Sequence, residues 1–150
     1  MAAWNFTTEV RAALNLAKAI AAGEPATRRW PWESPRPTVT AMHVLRGACQ
    51  PEVLRDALPS TVSAVDWAAL RAAVEPVPAV DPATAVGSTV RYSRSARRAL
   101  ELSMVVARDD AHSWVDLRHL LRGLMRADST VSTVCQRAHV EITSPGSSSP

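Results

Sequence analysis

Val10, Ala13, Leu14, Ala17, Ile20 and Ala21 recur at the three- and four-residue spacing of one helix face. Thr7 and Thr8 precede them, with hydroxyls suited to the orphan backbone N–H groups of a helix start. Glu9 suits the positive end of the helix dipole, and Gly23-Glu24-Pro25 ends the pattern. Residues 24–39 hold Pro25, Pro31, Pro35 and Pro37, a density that breaks helix and sheet and predicts a loop. Thr40 then caps a second helix with Ala41, Val44, Leu45 and Ala48 facing inward. Pro51 opens a short third helix to about Leu58. A fourth helix covers about Val65 to Val74, with Asp66 near its start.

The second half repeats this order. Ser93 starts a helix that reaches about Asp110, and Asp116 caps the next. There Leu117, Leu120, Leu121 and Leu124 match Ala41, Val44, Leu45 and Ala48 position for position, so the stripe is kept while its volume rises. A seventh helix covers about Ser129 to Ala138. Phe6-Thr7 is echoed by Tyr92-Ser93, and His43-Val44-Leu45-Arg46-Gly47 by His119-Leu120-Leu121-Arg122-Gly123. An ordered pair of echoes marks a duplicated helical unit.

The expected fold is therefore all-α. Two tandem four-helix-type repeats pack as a pseudo-two-fold bundle, and the last helix of the second is shortened or absent. Residues 1–140 read as one double-repeat domain: a first repeat over about 4–75, a linker over 76–91 and a second repeat over about 92–140. Residues 141–150, rich in Ser, Gly and Pro, read as a disordered tail. From Phe6 to His43 is 37 positions and from Tyr92 to His119 is 27, so the first repeat carries a ten-residue insertion between its first two helices.

Composition fits that picture, with 47% apolar residues and alanine the commonest of them. The formal net charge is +3, and no run of five like charges marks a basic tail. Cys49 and Cys135 occupy non-equivalent positions and read as buried, reduced thiols. No stretch approaches eighteen apolar residues, and Glu9 and Arg11 stand where a leader would need an apolar run. The expected location is cytoplasmic, without a membrane contact.

Chemistry is sparse. No nucleophile–base pair, carboxylate dyad or Gly-x-x-x-x-Gly-Lys-Ser/Thr loop is visible, so the chain reads as a non-enzyme without a cofactor. His43, His112, His119 and His139 show no metal-ligand spacing, and His43 and His119 read as structural residues near helix starts.

An aromatic–Thr/Ser start, an Ala/Leu/Arg helix and a capped x-x-His-apolar-Leu-x-Gly helix, all twice, resemble the Clp N-terminal repeat domain. That domain docks substrates and adaptors at the front of ClpC- and ClpA-type unfoldases. The likeness is greatest to the ClpC type of actinobacteria and covers about residues 4–140. The ATPase modules of such unfoldases have no counterpart here, so a stand-alone homologue and the front of a longer unfoldase both remain open. In some ClpC proteins a glutamate before the second-helix histidine helps bind phosphorylated arginine; the matching positions are Met42 and Arg118, so that recognition is expected to be absent.

The resemblance also implies a binding face around the repeat starts, where the actinobacterial ClpC domain accepts cyclic-peptide antibiotics. The matching residues are Trp4, Phe6, Arg11, Leu14, Tyr92, Arg97 and Glu101. They combine apolar and aromatic groups with charges at the rim, as binding hot spots do, while Phe6 and Tyr92 also suit stapling of their helix starts. Trp30 and Trp32, in the insertion with Arg28, Arg29 and Glu33, read either as an exposed contact or as a lid packed on the body.

The implied function is a non-catalytic binding module of the Clp proteolysis system. Its partners would be a Clp unfoldase, an adaptor or substrate peptide, or a cyclic-peptide antibiotic. It would modulate a ClpC-type unfoldase or sequester a ligand aimed at one. The alternative is a nucleic-acid-associated regulator using arginine faces, chiefly Arg118, Arg122 and Arg126.

Overall fold

The computed structural model describes residues 5–24, 30–33, 36–55, 57, 65–74 and 90–138. Trp4, Arg28, Arg29, Leu58, most of the linker and the tail at 141–150 lie outside the described residues. Within them the order is β1 (Asn5–Phe6), α1 (Thr8–Ala22), β2 (Thr38–Val39), α2 (Ala41–Ala48), α3 (Pro51–Arg55) and α4 (Trp67–Val74), followed by β3 (Arg91–Tyr92), α5 (Arg94–Asp109), β4 (Trp114–Val115), α6 (Leu117–Ala127) and α7 (Ser129–Arg137). The architecture is all-α apart from these two-residue strands. The first unit shows four helices and the second three, with no counterpart of α4 among the described residues.

The apolar stripes close on one another. Leu117, Leu120, Leu121 and Leu124 of α6 are buried, as are Ala41, Val44, Leu45 and Ala48 of α2. Val10, Ala13 and Ala17 of α1 join them, and one contiguous core draws on both units. Trp67, which has no place in the stripes of the repeat, is buried in that core at the start of α4.

Each unit brings its first two helices together through the glycine of its Leu-Arg-Gly turn. A Cβ on Gly47 would collide with the Ala13 carbonyl oxygen, and one on Gly123 with the Ala99 carbonyl oxygen and the Ser103 hydroxyl. Ala13 and Ala99 are equivalent positions of the repeat. The absence of a side chain is thus what sets the α1–α2 and α5–α6 spacing.

The units clasp each other reciprocally. β1 pairs with β4 in parallel, Phe6 opposite Val115, and β2 pairs with β3, Val39 opposite Tyr92. Thr7 N–H donates to the Val115 carbonyl at 3.1 Å and Ser93 N–H to the Val39 carbonyl at 2.9 Å. The residues before each first helix therefore pair with the residues before the other unit's second helix, a pseudo-two-fold exchange.

Capping explains the second helices. Thr40 accepts from His43 N–H, and the His43 Nδ1 accepts from Thr40 N–H at 2.9 Å. Asp116 and His119 repeat this capping box, with Asp116 N–H donating to His119 Nδ1 at 3.1 Å. Ser93 caps α5 through Ala96 N–H. The first helix differs from expectation. Thr7 is its N-cap, but the hydroxyl makes no capping bond and is buried without a partner. The strand pairing through Thr7 N–H holds that helix start instead.

Candidate functional site

The start of the second unit is an open, charged surface. β3 delivers Arg91 and Tyr92, α5 delivers Arg97, and the end of the insertion delivers Glu33 and Arg36; together they line a cleft of about 370 Å³. Glu33 is held there by Arg91, whose Nη2 donates to Glu33 Oε2 at 2.8 Å. This bond fixes the insertion beside the repeat start, and the Pro37 carbonyl adds a second tie by accepting from Arg91 N–H at 2.8 Å. One turn along α5, Arg94, Arg97, Arg98 and Glu101 line an adjoining hollow of about 220 Å³.

The two tryptophans of the insertion stack in parallel on each other, centroids 5.4 Å apart. Trp30 is 47% exposed and Trp32 78%, so the pair does not close over the body as a lid. A turn in which Glu33 N–H donates to the Trp30 carbonyl joins this platform to the cleft.

Of the residues implied by the resemblance, Tyr92, Arg97 and Glu101 thus come together around the two hollows. Phe6 and Leu14 are partly buried against the core, and Arg11 is exposed on α1; none of the three lines either hollow. Tyr92 is itself partly buried against the core, as a residue stapling its helix start would be. Arg36 and Arg91 were not legible as site residues, because only the fold of the proline-rich insertion brings Arg36 beside Tyr92.

The histidines form a second constellation. With Nδ1 accepting a backbone N–H, each capping-box imidazole carries its proton on Nε2. His43 Nε2 lies 2.9 Å from Glu24 Oε2, and His119 Nε2 lies 3.2 Å from Asp110 Oδ2. Glu24 and Asp110 are equivalent in the repeat, each just after the first helix of its unit. The second copy adds His112, whose Nδ1 is 3.2 Å from His119 Nε2 and whose ring stacks on Trp114.

Asp110, His112 and His119 bring their ligand atoms within 4.8 Å of one another, a grouping that sequence spacing did not suggest. Its chemistry is that of a proton-holding network. The Nε2 facing the cluster bears the proton, and Arg122 Nη1 stands 3.4 Å from Asp110 Oδ2 where a cation would be repelled. Burial pushes the His119 pKa below the ordinary 6.5; Asp116 and Asp110 oppose this, and His112 and Arg118 add to it.

The arginine row on α6 is largely engaged. Arg118 Nη2 donates to Asp116 Oδ2 at 3.0 Å, and Arg122 meets Asp110. Met42, at the other position matching the family's glutamate, packs partly buried against the core. No described helix is long and apolar enough to cross a membrane.

Neither a protein-family model nor a curated protein matches the chain. Solved structures do. A structure described as belonging to a malarial protein secretion system matches with a TM-score of 0.60 at 19% identity, covering 90% of this chain and 85% of that one. The Hsp104 N-terminal domain from Candida albicans matches with 0.57 at 16%, covering 93% and 83%. The N-terminal domain of the caseinolytic protease associated chaperone ClpD from Arabidopsis thaliana matches with 0.54 at 18%, covering 90% and 87%. The fold is that of Clp and Hsp104 N-terminal domains.

Proposed function

We propose that this chain is a non-catalytic, protein-binding module of a Clp-type system that takes partner segments at the start of its second repeat. The observation that carries this is the open cleft of Tyr92, Arg97 and Arg36 with the stacked Trp30 and Trp32 beside it. Exposed stacked tryptophans next to arginines and a tyrosine have the composition of a binding hot spot. The capping-box histidines, by contrast, are committed to backbone N–H groups and carboxylates, which argues against a catalytic base there.

Its role would be to modulate a ClpC-type unfoldase or to sequester a cyclic peptide aimed at one, which protects by mass action. Phosphoarginine reading of the family type is not expected, since Arg118 is bound to Asp116. The test is a titration with a ClpC-directed cyclic peptide, followed by tryptophan fluorescence, alongside co-purification with a ClpC-type unfoldase. Binding that changes the emission supports the module. No response at tens of micromolar removes sequestration, and absence of unfoldase association removes modulation.

A further inference from the structure

Resting on that reading, we infer that the ligand class is an acidic peptide segment, held by Arg36 and Arg97. The two hollows share Arg97 and together gather five arginines against two glutamates. That surplus equals the whole chain's formal net charge of +3. The formal charges of the remaining residues sum to zero.

Within the face, the charges are not equally available. Arg91 is bound to Glu33, which neutralises both. The guanidinium groups of Arg36 and Arg97 make no ion pair or hydrogen bond among the described residues, and they come from two separate segments around one cleft. Two guanidinium forks facing one cavity suit a carboxylate, which accepts two parallel N–H bonds from each. Tyr92 supplies an amphipathic wall, and the tryptophan platform extends the surface for flanking apolar side chains.

A nucleic acid fits less well. Glu33 and Glu101 would stand against a continuous phosphate backbone. The α6 row that would extend a nucleic-acid track has two of its three arginines engaged with Asp116 and Asp110.

The experiment uses the full chain and a fluorescein-labelled peptide bearing alternating Glu and Leu, read by anisotropy. Its partners are the Gln-for-Glu peptide and a single-stranded oligonucleotide of equal charge. The acidic peptide is expected to bind at least about tenfold more tightly than its Gln counterpart, and to weaken with salt. Arg36→Gln and Arg97→Gln, the latter on an exposed helix position, should each weaken it about fivefold or more, with Arg126→Gln unchanged. Equal binding of both peptides would overturn the acidic class while leaving a peptide-binding module standing. Binding of neither peptide would also overturn the acidic class, and the module itself would then stand or fall on the cyclic-peptide and unfoldase assays. Tighter, Arg97-dependent binding of the oligonucleotide would overturn the peptide in favour of nucleic acid.

Discussion

His119 is joined to Asp110 by the same bond that joins His43 to Glu24 at the equivalent positions of the first unit. Each imidazole ties the cap of a second helix to the end of a first helix through its two nitrogens. His119 is 1% exposed, so its replacement also leaves a hole. His119→Ala should therefore destabilise the fold by ~2–3 kcal/mol, from the lost cap, carboxylate bond and packing. Urea unfolding of the variant against the parent measures this.

The same residue makes stability depend on pH. Unfolded chains protonate this imidazole near pH 6.5, whereas burial holds the folded value lower. The stabilising contribution is therefore whole above pH 6.5 and lost as pH falls through the folded value. Protonating Nδ1 would also break the bond from Asp116 N–H. The urea midpoint should fall between about pH 7 and pH 5, and the His119→Ala variant should show a shallower fall.

Much of this organisation is legible in the chain. The caps at Thr40, Ser93 and Asp116, the stripes and the helix order follow from residue type and spacing. The strand clasp does not, since Asn5–Phe6 and Thr38–Val39 are too short for any period, and their partners lie in the other repeat. Thr7 looks like a capping hydroxyl, yet tertiary pairing of its N–H took over that role. The proposed site is legible by half: Tyr92, Arg97 and Glu101 are implied by the family resemblance, while Arg36 depends on the path of the insertion.

Gly47 and Gly123 are structural because of what faces them. Alanine is the better helix former by ~1 kcal/mol, but its methyl would meet a backbone carbonyl in both cases. Gly47→Ala and Gly123→Ala should each destabilise by ~1–3 kcal/mol, as overpacked sites do. A lowered thermal midpoint checks this.

Ala111 holds φ of 59°, a left-handed conformation, just past α5. His112 N–H donates to the Ala107 carbonyl and Ala111 N–H to the Arg108 carbonyl, the paired bonds of a helix C-terminal stop. Glycine adopts this conformation without the steric cost of a Cβ. Ala111→Gly should raise stability by ~1 kcal/mol, visible as a higher thermal midpoint.

Cys49 and Cys135 are both free and buried. Burial pushes the Cys49 thiol up to about 12 and the Cys135 thiol up to about 11. Neither should react with a thiol-specific reagent at about pH 8 in the native protein, and both should react once it is unfolded in denaturant. Counting released chromophore under the two conditions checks this.

The central claim is that partners dock at the start of the second repeat. Backbone amide shifts, recorded while the full chain is titrated with the acidic peptide, test it most directly. Changes should concentrate at Arg91, Tyr92, Arg97 and Glu101 and in the insertion from Trp30 to Glu33. Changes centred instead on Arg118, Arg122 and Arg126 of α6, or on Phe6 and Arg11 alone, would contradict it.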